Sequence, residues 1–202
     1  MDHFHFLAPI YDRLLAPPDP DRLRSLLEMP VTGRVLDVGG GTGRVAQALR
    51  GLADDVVVFD ESAAMLRQAW LKGLTAVQGQ AERLPFAEGS FARVLVVDAF
   101  HHLRDQRQAA VEFLRVLAPD GRIVIEEPNV ERLAVRLVAL AEKLALMRSH
   151  FRRPSAVQQI FEAAGGNVRL ARLDATFWAV IEKPEESRAG RHGWTHPASP
   201  LG

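Results

Sequence analysis

The stretch Val35-Leu36-Asp37-Val38-Gly39-Gly40-Gly41-Thr42-Gly43-Arg44 constrains this chain more than any other. A short apolar run carries an acid and then breaks into glycines. Val45, Ala46, Ala48 and Leu49 follow at helical spacing. That order predicts a strand, a tight turn and a helix. Glycine tolerates positive φ and lets backbone come close to a ligand. The first turn of the following helix offers unbonded N–H groups and the positive end of a dipole, so the corner is expected to favour anionic groups. The stretch is the predicted floor of a site for a nucleotide-type cofactor.

The chain repeats this rhythm. A strand over roughly 34–38 precedes the glycines, and the helix after them runs to about Arg50. Val56-Val57-Val58-Phe59 ends in Asp60, and Ser62 is placed to cap a helix carrying Ala64, Met65, Leu66, Ala69 and Trp70. Thr75-Ala76-Val77-Gln78 is a weaker strand, followed by a loop over 79–86. Val94-Leu95-Val96-Val97 ends at Asp98-Ala99-Phe100-His101-His102, and a helix follows over about 105–117. Pro119-Asp120-Gly121 predicts a turn, and Ile123-Val124-Ile125 a strand that ends at Glu126-Glu127-Pro128. Continuous apolar strands are those of a parallel sheet covered on both faces. Their alternation with helices predicts right-handed crossovers and a ligand edge at the carboxyl ends of the strands.

The flanks read differently. Residues 4–16 have the spacing of a short lid helix, and Pro17, Pro18 and Pro20 predict a break. Asp21 is the expected cap of a helix whose apolar face is Leu23, Leu26 and Leu27. Over 130–149 a long helix is predicted, with Leu133, Leu137, Leu140, Leu144 and Met147 on one stripe. Pro154 and Ser155 start another, stopped by Gly165-Gly166. Val168, Leu170 and Leu173, then 177–181, predict an antiparallel hairpin with Ala175 and Thr176 between its strands. Residues 185–202 have the composition of a disordered tail. The whole is predicted as one domain over 1–184, with lid helices in 1–30 and a helical cap over 130–164.

Composition excludes several classes. The 202 residues include no cysteine, which removes disulfides, thiolate chemistry and cysteine zinc sites. The formal net charge is +0, so no electrostatic footprint points to nucleic acid or an anionic membrane. No apolar run approaches membrane-spanning length and no signal peptide is evident, so a cytoplasmic protein is expected.

The glycine turn alone is ambiguous, since Gly41-x-Gly43-x-x-Ala46 also satisfies a loose dinucleotide pattern. Asp60 lies 21 positions after Gly39, where an acid accepts both hydroxyls of a ribose. Two features separate the readings. Asp37 puts negative charge where a pyrophosphate would lie, which disfavours NAD and favours a cationic amino-acid tail. Gln80-Ala81 follow the third strand, where a side-chain carbonyl and a backbone N–H meet an adenine edge.

At these residues the chain resembles the class I S-adenosylmethionine-dependent methyltransferases, and within them the small-molecule group that includes the ubiquinone/menaquinone biosynthesis enzymes. The likeness covers about 8–182. It runs through 35–43, Asp60-Glu61-Ser62-Ala63-Ala64-Met65-Leu66, the 79–86 loop, Ser90-Phe91, Phe100-His101-His102-Leu103 and Leu117-Ala118-Pro119-Asp120-Gly121-Arg122. Ala8-Pro9-Ile10-Tyr11-Asp12 is similar to the family's opening helix. The resemblance implies an α/β, Rossmann-like doubly wound sheet, mostly parallel, with a C-terminal antiparallel hairpin and a helical lid. It implies methyl transfer from S-adenosylmethionine, with S-adenosylhomocysteine as product. Gly39, Gly41 and Gly43 then admit the methionine part, Asp37 helps hold its ammonium and Asp60 takes the ribose hydroxyls. Met65 packs near the adenine, Gln80 and Ala81 read its edge, and the backbone around Asp98 and Ala99 supports the methionine. Tyr11 closes over the cofactor from the lid.

Two departures stand out: Gln80 replaces the usual Asp, which removes a charge and predicts weaker binding, and Ala92 replaces the Asp that often follows Ser-Phe. His101 or His102 is the candidate base where the acceptor has a proton to lose, or both only shape the pocket. No metal is expected, because adjacent histidines rarely converge on one ion and no third ligand is evident. The 133–147 stripe is core, the roof of an apolar acceptor pocket, or the seam of a homodimer. The acceptor is expected to be small and apolar or aromatic. A non-catalytic cofactor- or partner-binding protein on the same fold, and an NAD-dependent oxidoreductase, are the alternatives.

Overall fold

The computed structural model describes residues 19–131, 150–173 and 176–184. In chain order the elements are α1 (Pro20–Leu27), β1 (Arg34–Val38), α2 (Arg44–Ala48), β2 (Asp55–Asp60), α3 (Ala63–Leu71), β3 (Thr75–Gln78) and β4 (Phe91–Val97). A single 3-10 turn, Phe100–His102, leads to α4 (Gln106–Val116), β5 (Leu117–Pro128), α5 (Pro154–Ala163), β6 (Asn167–Leu173) and β7 (Thr176–Glu182). The strands form one seven-stranded sheet in the order β3-β2-β1-β4-β5-β7-β6. The pairs among β1 to β5 are parallel, and β7 lies antiparallel between β5 and β6. The order reverses beside β1, so β1 and β4 flank the switch point where open α/β sheets bind ligands.

Alternation along each strand explains why these segments are apolar throughout. Leu36, Val94, Val96, Ile123 and Ile125 face one core with Phe100, Phe113 and Phe161. Val35, Val58, Leu95, Val97, Val124 and Trp178 face the other with Leu23, Leu27, Val45, Leu66 and Ala69. The first core is closed by aromatic contacts, with Phe161 tilted on Phe100 at 5.7 Å between ring centroids. Truncating a fully buried Phe161 to Ala costs about 3–5 kcal/mol by the usual cavity argument.

Several local expectations change. Asp19, not Asp21, caps α1 by accepting the N–H groups of Asp21 and Arg22. Pro20 opens that helix rather than breaking the chain, because a first-turn residue needs no N–H partner. The helix after the glycines stops at Ala48, short of Arg50, where Leu49 N–H turns back to the Ala46 carbonyl. Pro119-Asp120-Gly121 lies within β5: the register with β4 jumps from Phe91↔Leu117 to Arg93↔Arg122, so the turn residues bulge out and the ladder resumes. Thr176 belongs to β7 and pairs with Leu173, whereas Ala175 lies outside the described residues. The lid helix with Tyr11, the 133–147 stripe and the 185–202 tail lie outside the described residues. Among the described residues no helix is long and apolar enough to cross a membrane, and no cluster of three metal-binding side chains occurs.

Candidate cofactor and acceptor site

Backbone ties hold the glycine turn against the end of β2. Gly39 and Gly40 donate to the Phe59 carbonyl at 2.7 and 3.3 Å, and Gly41 donates to Asp60 Oδ2 at 3.0 Å. Gly39, Gly41 and Gly43 all have positive φ, but for different ends. A Cβ on Gly39 would lie 2.4 Å from Ala99 Cβ, and one on Gly43 would lie 2.3 Å from Leu74 Cδ1. Those two are required by packing. A Cβ on Gly41 would meet nothing within 4 Å, so this position opens onto the space above the sheet edge. Of the three, Gly41 is the one whose Cβ position faces open space.

Asp37 lies beneath that turn and is 1% exposed. Its carboxyl is raised to about 7, chiefly by burial and in part by the Asp60 charge, while the Ala46 N–H and the Arg44 guanidinium pull the other way. The N–H of Ala46 belongs to α2, so the anion at this helix start is the protein's own. Asp37 Oδ2 is buried with no hydrogen-bond partner among the described residues. This oxygen lies against Gly40, where a Cβ would come within 2.6 Å of it; an orphaned carboxylate oxygen at the turn fits a cationic group and disfavours a phosphate.

Asp60 closes β2. Its Oδ2 accepts from Gly41 and its Oδ1 from the Ser62 N–H at 2.8 Å. Ser62 caps α3 as expected, and Met65 on that helix is buried. Gly79 donates to the Asp60 carbonyl at 3.0 Å, which brings Gln80 and Ala81 to the same end of the sheet. Gln80 is exposed and Ala81 buried. The loop after them is clamped from α4: Glu112 accepts the Leu84 N–H at 2.8 Å, and Arg115 donates to the carbonyls of Leu84 and Phe86.

Across β1, the end of β4 is bent. Asp98 takes φ +50, and its N–H donates to the Glu126 carbonyl at 3.0 Å. A non-glycine residue in this region is strained and is held there by its surroundings. Ala99 presents its Cβ to Gly39, which joins this turn to the glycine corner. The 3-10 turn is locked by Glu127, a residue absent from the sequence-based site. Glu127 Oε1 accepts the Phe100 N–H at 2.8 Å and Oε2 accepts His101 Nδ1 at 2.7 Å, with both side chains about 5% exposed or less. The His101 ring stacks on Phe151 at 4.1 Å and tilts toward His102 at 4.0 Å. Gln106 Nε2 bonds the carbonyls of Phe100 and His150, which fixes the start of the 150–153 segment to the same turn. The two histidines are therefore not equivalent: His101 is buried and braced, and His102 is half-buried.

Glu126 was also missed. Two adjacent acids directly after an apolar strand, at the edge where Asp60 and Asp98 already end theirs, were the available signal.

Comparison with known proteins finds relatives of the same fold. Residues 36–125 match the family model of the methyltransferase domain. The demethylmenaquinone methyltransferase of Renibacterium salmoninarum is 34% identical over 96 residues, 46% of this chain and 40% of its own length. A Bacillus subtilis protein named as an uncharacterized methyltransferase is 32% identical over 158 residues, covering 72% of this chain and 60% of its own. The chain thus spans less than two thirds of the length of these curated relatives. A solved S-adenosylmethionine-dependent methyltransferase from Mesorhizobium loti shares the fold, with a TM-score of 0.70 at 18% identity over 81% of this chain and 96% of that one. Fold, corner and family match resemble those of the class I, S-adenosylmethionine-dependent methyltransferases. Within that class the chain resembles the ubiquinone/menaquinone biosynthesis methyltransferases.

Proposed function

We propose that the protein transfers the methyl group of S-adenosylmethionine to a small acceptor with an apolar or aromatic body. The observation that carries this reading is the buried Asp37 Oδ2, without a hydrogen-bond partner among the described residues and packed against Gly40, next to the open Gly41. When bound, the cofactor supplies an electrophilic methyl group on a sulfonium. The chain's own part is to bind, orient and exclude water. Asp37 faces the ammonium, Gly41 leaves room for the methionine chain and Asp60 accepts from the ribose hydroxyls. Met65 packs at the adenine, Gln80 and Ala81 read its edge, and the backbone of Asp98 and Ala99 supports the methionine end. His102 takes a proton where the acceptor has one to lose. His101, held by Glu127, positions that turn. The name of the Renibacterium salmoninarum relative supports an aromatic body.

Calorimetric titration with S-adenosylmethionine, S-adenosylhomocysteine and NAD tests the reading. Micromolar binding of the first two, and none of NAD, is expected. Binding of NAD alone would overturn it.

A further inference from the structure

Glu126 has no part in the cofactor roles, yet it is the second carboxylate buried without a partner at this edge. It is 9% exposed, and its Oε2 has no hydrogen-bond partner among the described residues. Val124 faces the core packed by α1 to α3 and Ile125 the other, so alternation directs Glu126 to the Asp37 side of the sheet. Its strand lies beyond β4, on the far side of the glycine corner from Asp60 and Gln80. A cofactor running from Gln80 to Asp98 ends where Glu126 begins.

The charges around Glu126 are specific. Its carboxyl is raised to about 7, by burial first and then by the charges of Asp98 and Glu127, against the pull of Arg44 and Arg22. The Arg22 guanidinium lies over the Trp178 ring at 5.8 Å, and no ion pair joins it to Glu126 among the described residues. A buried carboxylate without a partner is costly until a donor reaches it. The carboxylates attract an ammonium and repel a phenolate or a carboxylate ligand.

We infer that Glu126, with Asp98 beside it, receives the amino group of the methyl acceptor, so that the acceptor is a small amine on an apolar or aromatic body. This rests on the methyl-transfer reading and adds the head group to it.

Matched probes test it: benzylamine against benzyl alcohol, and cyclohexylmethylamine against cyclohexylmethanol, titrated into protein saturated with S-adenosylhomocysteine. In the natural protein each amine is expected to bind about tenfold or more tightly than its alcohol, a difference of about 1.4 kcal/mol. In Glu126→Gln the preference falls to within about twofold while S-adenosylhomocysteine affinity is unchanged. Removing an unpaired buried charge leaves the fold intact, and Glu126→Leu serves as a second variant with the same expectation. Alcohols binding as well as amines, a preference that survives in Glu126→Gln, or no binding of either amine overturns the proposal. A tenfold loss of S-adenosylhomocysteine affinity in Glu126→Gln also overturns it, by assigning Glu126 to the cofactor. Failure of the natural protein to bind S-adenosylhomocysteine sinks the methyl-transfer reading instead.

Discussion

The two halves of the ligand edge, β1 to β3 and β4 to β5, each hold one carboxylate that the fold uses fully and one that it does not. In the first half Asp60 accepts backbone N–H groups on both oxygens, while Asp37 keeps a buried oxygen without a partner. In the second half Glu127 is bonded on both oxygens, and Glu126 keeps a buried oxygen empty. The bonded acids hold the glycine turn and the 3-10 turn in place. The unbonded acids carry a desolvation cost that their own half of the protein does not offset. Carboxylates with the same formula therefore answer to different pressures, one to folding and the other to a ligand's charge.

The largest effect that separates the two kinds is expected at Glu127. Glu127→Ala leaves the Phe100 N–H and the His101 ring without their partner inside the core. Breaking a buried pair from one side costs about 3–5 kcal/mol. Denaturant unfolding measures this, and Glu127→Gln, which still presents an acceptor, is expected to lose less than half as much. A loss under about 1 kcal/mol for Glu127→Ala would erase the distinction between the bonded and unbonded acids.

Asp37→Asn is expected to move stability and binding in opposite directions. Removing a desolvated carboxylate raises the melting temperature of the cofactor-free protein. The same change removes a charged partner of the cofactor's ammonium, worth about 1.5–3 kcal/mol, or roughly tenfold to a hundredfold in affinity. Calorimetry and thermal unfolding on one preparation read both. A variant less stable than the natural protein, with unchanged affinity, would make Asp37 a brace like Asp60.

What the sequence discloses follows the same divide. The cofactor half is local: Asp37, the glycines and Asp60 lie within one strand-turn-helix-strand unit, and a short period in the chain spells them out. The fully apolar strands and the hairpin are legible for the same reason. The brace on His101 comes from 26 residues further on, a contact that no local pattern announces. Glu126 reads as a strand terminator until the neighbouring strands show where it points. The misplaced cap at Asp21 is a choice between two identical side chains on either side of Pro20. The turn expected at Pro119-Asp120-Gly121 is overruled by β4, which pairs with the chain on both sides of the bulge. Gly41 differs from Gly39 and Gly43 only in what surrounds it, which a sequence cannot show.

The smallest effect is a pH dependence, and it distinguishes an empty carboxylate from a filled one without any change of sequence. Burial places the Asp37 carboxyl at about 7, well above its value near 3.8 in an unfolded chain. Between roughly pH 4 and 7 the native state therefore binds more protons at this group than the unfolded state does. Stability from Asp37 is fully present below that window and is lost as pH rises through it; Glu126, raised from 4.5 to about 7, contributes with the same sign. Ligand binding has the opposite slope. An ammonium beside Asp37 favours the carboxylate, so binding releases a proton below pH 7, and affinity for S-adenosylhomocysteine falls with falling pH. The slope approaches about tenfold per pH unit toward pH 5, since one proton then competes with one ligand. Calorimetry in buffers of different ionisation enthalpy reads the proton directly. In Asp37→Asn the slope and the proton are expected to vanish together, whereas in Glu126→Gln both should persist, because that carboxylate belongs to the acceptor half.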